Sequence, residues 1–294
     1  MIALLLFFVV QYYFLWNRFL LNRIVTNNQT NASSGLLSIW HVLTAWFLFA
    51  LVYWEASYWQ SIMQWHGTSA AVLWFACLVL PLLLLLNLTH KSIWPFAAYA
   101  ADYKNLIPAP LLALLLGWFA VACRYSGITE QFYLPVLNPL DLAQAAVLIT
   151  FAYAIKRDFL SLQSAPVEYR YGLIGGLGFI WINVVLLRAI HQYAHVDYEI
   201  DALWNSGIVQ MALSILWAIC ALFVMNLSRR LQERKLWMLG AALLGLILIK
   251  LFTKDLSGTG TLARVVSFMA VGGLMLLIGY LSPIPAKAKT AQPE

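Results

Sequence analysis

Between residues 249 and 268 the chain reads I-K-L-F-T-K-D-L-S-G-T-G-T-L-A-R-V-V-S-F, a charged turn between two long apolar runs. Lys250, Lys254, Asp255 and Arg264 fall within fifteen residues there, followed by the hydroxyl of Ser267. A carboxylate among cations can close an ion pair or act as a general base, and surplus cations can hold a phosphate or carboxylate. A second group ends the run N-V-V-L-L-R-A-I-H-Q-Y-A-H, where Arg188, His191 and His195 are spaced i, i+3, i+7 and share one helix face. Two histidines four apart with Asp197 nearby are the donor types of a zinc site, but the glutamate of H-E-x-x-H is missing and no metal is expected. A third group, Ser206, Gln210, Ser214 and Trp217, recurs at helical spacing in S-G-I-V-Q-M-A-L-S-I-L-W. Such a stripe either ties membrane helices together or walls a polar cleft. Arg124 and Asp141 flank the loop that ends Y-L-P-V-L-N-P-L-D.

The elements that position these residues follow from composition. Of 294 residues, 63% are hydrophobic and 10% charged, and the mean hydropathy is +0.79. Soluble domains carry about 25% charged residues, so the solvent for this apolar surface is lipid. A span needs about 20 mainly apolar residues. Nine stretches approach that length: 2–17, 36–54, 69–87, 106–123, 139–155, 171–192, 205–227, 236–253 and 262–281. The expectation is an all-α polytopic bundle over 1–281 with a disordered cytoplasmic tail at 282–294. The stretch 92–104 is too short and polar to span and is expected in the interface. Gly172 and Gly176 form a G-x-x-x-G pair of the kind that lets helices approach closely. Cys77, Cys123 and Cys220 lie in or at the end of apolar runs, without the spacing of a metal or redox site. His41 and His90 stand alone near helix ends, and both read as structural.

Basic residues mark cytoplasmic loops. Loops 18–35, 88–105, 156–170 and 228–235 with the tail hold 13 of the 18 Lys and Arg, against five acidic residues. The opposite side holds five basic and seven acidic residues. The N-terminus is therefore expected outside and the C-terminus in the cytoplasm. The net charge of +6 is then a topology signal. No basic stripe interleaved with aromatics suggests nucleic acid as a partner. Arg124, Asp141, Arg188, His191, Lys250, Asp255 and Arg264 all fall at the outer ends of their spans, where ionisable groups tend to face a bundle interior or a wet cavity. With Ser206, Gln210 and Ser267 they make up one candidate polar cleft.

The block K-L-F-T-K-D-L-S-G-T-G-T-L-A-R-V-V-S-F, with R-K-L-W-M-L-G before it and G-G-L-M-L-L-I-G-Y-L after it, resembles the bacterial multi-pass membrane-protein family catalogued as domain of unknown function 2339. Y-L-P-V-L-N-P-L-D-L and S-G-I-V-Q-M-A-L-S-I-L-W are similar to that family's pattern too, so the resemblance covers roughly 130–281. It falls on Lys250, Asp255, Arg264 and Ser267, with Thr253 and Lys254 standing where the family is apolar. Many members are longer, so the resemblance implies a short member or a C-terminal portion. It implies a bacterial inner membrane and brings no settled activity.

No G-x-S-x-G, G-x-x-x-x-G-K-[ST] or H-E-x-x-H motif is present, and no cofactor is expected. The leading expectation is a noncatalytic or transport protein whose outer cleft takes an anionic lipid or lipid-linked glycan, clamped by Arg124, Arg188 and Arg264, with membrane lipids as its surroundings. The alternatives are an acyl- or glycosyl-transferase using Asp141, Asp255 or His191 as base, and a noncatalytic scaffold. The orientation is directly testable. A reporter active only outside the cytoplasm, fused after residue 200, is expected to be active; an inactive fusion that is made in normal amounts reverses the topology.

Overall fold

The computed structural model describes residues 8–9, 11–18, 31–89, 91, 94–97, 99–127, 133–250, 269, 272–273 and 276, with side chains of the second helix described from Ser38 onward. Those residues are helical or lie in turns and connections, with no strand among them. We number the helices α1 (8–9 and 11–18), α2 (Asn31–Ile62), α3 (Gly67–Leu88), α4 (Pro108–Ala122), α5 (Pro139–Lys156), α6 (Val167–Ala194), α7 (Ile200–Asn205), α8 (Gly207–Leu231) and α9 (Arg234–Lys250).

Six helices are long and apolar enough to cross a membrane, running Ser38–Ile62, Gly67–Leu88, Asp102–Ala122, Pro139–Lys156, Val167–Ala194 and Gly207–Leu231. They coincide with the second to seventh of the nine expected spans. The eighth appears as α9, whose helix ends at Lys250 within the described residues. The first appears in part as α1. Most of the ninth and the tail 282–294 lie outside the described residues.

Two boundaries differ from expectation. The fourth span begins earlier, because Asp102–Leu106 forms a turn of π-helix that runs directly into α4. Within the stretch 99–103 Tyr103 is buried and Ala101 exposed. The loop after α6 also contains a short extra helix, α7. Six residues at the edge of a span carry too little apolar periodicity to announce themselves.

The chain forms two compact units, 1–181 and 182–294. In the first, α2 to α5 and the start of α6 surround a core in which Leu82, Leu86, Leu115, Leu140 and Val147 are fully buried. Lipid tails are as apolar as leucine, so burial of such side chains does not by itself hold membrane helices together. Polar bonds supplement the packing. Trp118 Nε1 donates to the Ala71 carbonyl at 2.8 Å, linking α4 to α3. Tyr153 Oη donates to Asn87 Oδ1 at 2.9 Å, linking α5 to α3. Helix α5 starts where it does because Asn138 accepts the Leu140 N–H at 2.8 Å and Pro139 occupies the first helical position, where no N–H is needed.

In the second unit, α8 and α9 form an antiparallel pair. Gly240 makes the close approach: a Cβ there would stand 2.5 Å from Met225 Cγ and 3.1 Å from the Ala221 carbonyl oxygen. Among the described residues no close contact is made at Gly172 or Gly176, since a Cβ at either would meet none of them within 4 Å. Spacing marks a glycine pair but not the neighbour it needs. Gly240→Ala is expected to destabilise the protein by about 1–3 kcal/mol through overpacking. Gly245→Ala, where nothing lies within 4 Å, is expected to be neutral or slightly stabilising. Thermal unfolding of the two variants in one detergent checks the contrast.

Candidate functional site

The sharpest polar arrangement sits where the start of α8 meets the end of α9. Ser206 leaves α7 in an extended conformation and caps α8, its Oγ accepting the Val209 N–H at 3.4 Å. One turn on, the buried Gln210 turns its amide back, and Nε2 donates to the Trp204 carbonyl at 2.9 Å. The carbonyls at the end of so short a helix have no further turn to bond them, and Gln210 supplies that partner. Ser214 Oγ donates to the Gln210 carbonyl at 3.0 Å. Lys250 reaches across from α9, and its Nζ donates to both the Gln210 carbonyl and Ser214 Oγ at 2.6 Å. Three turns into α8, Trp217 Nε1 donates to Asn183 Oδ1 on α6 at 2.7 Å. Every member of the stripe thus makes a polar bond, and those of Gln210, Ser214 and Trp217 include bonds to α7, α9 and α6.

Arg188 and His191 lie toward the end of α6. The arginine is fully buried. His191 shares a hydrogen bond of 2.6 Å between Nδ1 and the Val196 carbonyl, which folds the loop back on the helix. His195 is exposed and adopts a φ of 53°.

Arg124 and Asp141 belong to the first unit. Arg124 is exposed in the turn after α4. Asp141 is fully buried in the first turn of α5, where a carboxylate complements the positive end of the helix dipole. Its Oδ2 accepts the Val136 N–H at 3.3 Å and the Tyr133 hydroxyl at 3.4 Å. Gln144, one turn on, donates to the Phe119 carbonyl at 3.4 Å and to Cys123 Sγ at 3.3 Å. Of the ten residues expected to share a cleft, Ser206, Gln210 and Lys250 form one cluster. Arg188 and His191 occupy the end of α6, and Arg124 and Asp141 stand in the other unit. Asp255, Arg264 and Ser267 lie outside the described residues.

The structure also assembles a polar cluster that the sequence reading passed over. His41 is 1% exposed on α2, its Nδ1 sharing a 3.2 Å hydrogen bond with the Tyr103 hydroxyl. Tyr103 in turn meets the Tyr12 hydroxyl of α1 at 3.4 Å. Ser38, one turn before His41, donates to Asp102 Oδ2. Gln11 of α1 donates to Thr44 Oγ1 at 3.3 Å. Tyr99 lies on His41 with ring centroids 4.1 Å apart. Burial and the neighbouring Asp102 carboxylate push the Tyr99 phenol above its ordinary range. The signal was available: Ser38, His41 and Thr44 share a helix face, and Asp102-Tyr103 opens a span.

The model of the family described as "Predicted membrane protein (DUF2339)" matches residues 1–285. The chain belongs to this family. The match exceeds the 130–281 that carried the resemblance, so the His41 cluster and the whole α2–α5 core are family territory as well. No curated protein and no solved structure matches the chain. For this DUF2339 member, Tyr103→Phe is expected to cost about 1–3 kcal/mol, because it leaves the buried His41 Nδ1 without that partner. His41→Leu combined with Tyr103→Phe is expected to cost less than the two single changes added together. Thermal unfolding in detergent measures all three, and simple additivity would remove the coupling.

Proposed function

We propose that this is a nine-span protein of a bacterial inner membrane, N-terminus outside and C-terminus cytoplasmic, that binds and moves an anionic lipid or lipid-linked glycan at its outer face. In this reading residues 1–281 form the membrane domain and 282–294 its cytoplasmic tail. The observation that carries the proposal is the placement of Lys250. Its ammonium is held by Gln210 and Ser214 at the end of α8–α9 that the charge distribution assigns to the outside. The same end of that unit carries His191 and the buried Arg188. An ammonium held by neutral acceptors suits a phosphate or carboxylate, since those acceptors do not cancel its charge.

A scaffold reading has its own support. The Trp217–Asn183 and Lys250–Ser214 bonds tie three helices together, which is what a purely structural stripe would do.

Retention of lipid separates the two. Purified protein in nanodiscs of mixed phosphatidylglycerol and phosphatidylcholine is released for native mass spectrometry. The binding reading expects phosphatidylglycerol to be retained selectively. Lys250→Gln is expected to lower that retention about fivefold, the effect of roughly 1 kcal/mol per basic residue at a membrane surface. Equal retention of both lipids by the unaltered protein would leave only the scaffold.

A further inference from the structure

Lys250 and Ser214 do more than join two helices. A hydroxyl and an amine 2.6 Å apart, delivered by different helices, form the nucleophile–base pair of a serine–lysine dyad. We propose that Ser214 is a nucleophile toward acyl esters at the membrane surface, with Lys250 as its general base. The acyl ester is the substrate class, and the inference builds on the lipid-binding reading of the same helix end.

Three features support the assignment. Lys250 Nζ is fixed in place by a second acceptor, the Gln210 carbonyl, also at 2.6 Å. That carbonyl takes the Ser214 hydroxyl proton as well, so oxygen, amine and carbonyl form a closed triangle. A hydroxyl proton rotates freely about its C–O bond. Turned from Gln210 toward Nζ, it makes the same short contact a proton-transfer contact once the amine is neutral. Position supplies the third feature. Ser214 lies seven residues inside α8 from Gly207, about 10 Å along the axis at 1.5 Å per residue, and is only half-buried. With the start of α8 at the headgroup surface, that depth matches the ester carbonyls of a glycerolipid.

The step balances with an ester and water alone. Loss of one ammonium proton to surface water leaves Lys250 neutral, and the amine then takes the Ser214 proton as Oγ bonds to the ester carbonyl carbon. Collapse of the tetrahedral adduct breaks the acyl carbon–oxygen bond, and the leaving alkoxide receives that proton from Nζ. Water, deprotonated by Lys250 in turn, then releases the acyl group as a carboxylic acid and restores the hydroxyl; an alcohol in place of water makes the second half a transfer.

The test uses the full chain in nanodiscs and an alkyl fluorophosphonate, which phosphonylates activated serines. Intact-mass and peptide analysis are expected to show one adduct, on Ser214, that is absent in Ser214→Ala. Lys250→Arg keeps a cation and its hydrogen-bond donors but cannot accept the proton, so labelling should slow by roughly a hundredfold. Circular dichroism and melting confirm that each variant is folded; a Lys250→Arg variant that fails to fold is replaced by Lys250→Met, for which the same slowing is expected. A folded, unaltered protein that takes no adduct overturns the dyad, as does equal labelling of the folded lysine variants. Both readouts are taken on the unaltered protein: selective phosphatidylglycerol retention without an adduct overturns the dyad alone, and equal retention of both lipids overturns the lipid site, so the two failures give different results.

Discussion

Hydrocarbon offers no hydrogen bonds, so every polar group carried into it must find its partner within the protein. The described structure is organised around that constraint. The long spans are helices because a helix satisfies its own backbone, and polar side chains gather where that satisfaction stops. At the end of α7 the unmet carbonyl is Trp204, and Gln210 meets it. At the start of α5 the unmet N–H is Leu140, and Asn138 meets it. At the start of the fourth span Asp102 and Tyr103 are answered by Ser38 and His41 of α2. Several described polar residues therefore close helix ends, while others such as Asn183 and Trp217 pair between helices.

The spans were legible because apolar length alone decides them. Six of the expected stretches recur as helices long and apolar enough to cross a membrane. What escaped was structure whose cause is tertiary. The π-turn at Asp102–Leu106 joins a polar segment to an apolar one, and hydropathy divided them. Tyr103 could enter the span only because His41 and Tyr12 were there to receive its hydroxyl. Neither partner is near it in sequence, so the burial of that stretch could not be read locally.

The candidate site was legible to a similar depth. Helical spacing correctly placed Ser206, Gln210, Ser214 and Trp217 on one stripe, because a 3.6-residue period needs no knowledge of neighbours. Spacing could not tell which helix would face that stripe. Lys250 had been grouped with the charged turn that follows it, yet its described bonds run back to α8. The glycines make the same point in reverse. Gly172 and Gly176 have the spacing of a close contact without a neighbour among the described residues, while Gly240 has the neighbour without the spacing. A small residue marks a contact only when a backbone is delivered to it.

The identity of the residue at position 250 bears on whether the α8–α9 cluster is purely structural. Its two described acceptors, the Gln210 carbonyl and the Ser214 hydroxyl, lie on one turn of one helix and are both neutral. A compact ammonium on a flexible stem can reach both, whereas the planar guanidinium of arginine is shaped for the paired oxygens of a carboxylate or phosphate. An interhelical tie alone could have used a neutral amide, as Asn183 does for Trp217 a few turns away, without bringing a charge into the membrane. Where a neutral bond would close the structure, an ionisable group contributes charge or proton exchange beyond what packing needs, and intramembrane ionisable residues are for that reason functional candidates. Serine at 214 strengthens the case, since its hydroxyl is the one described partner of Lys250 that can both accept a hydrogen bond and give up a proton. The cluster can thus hold two helices together and present reactive groups with the same three atoms.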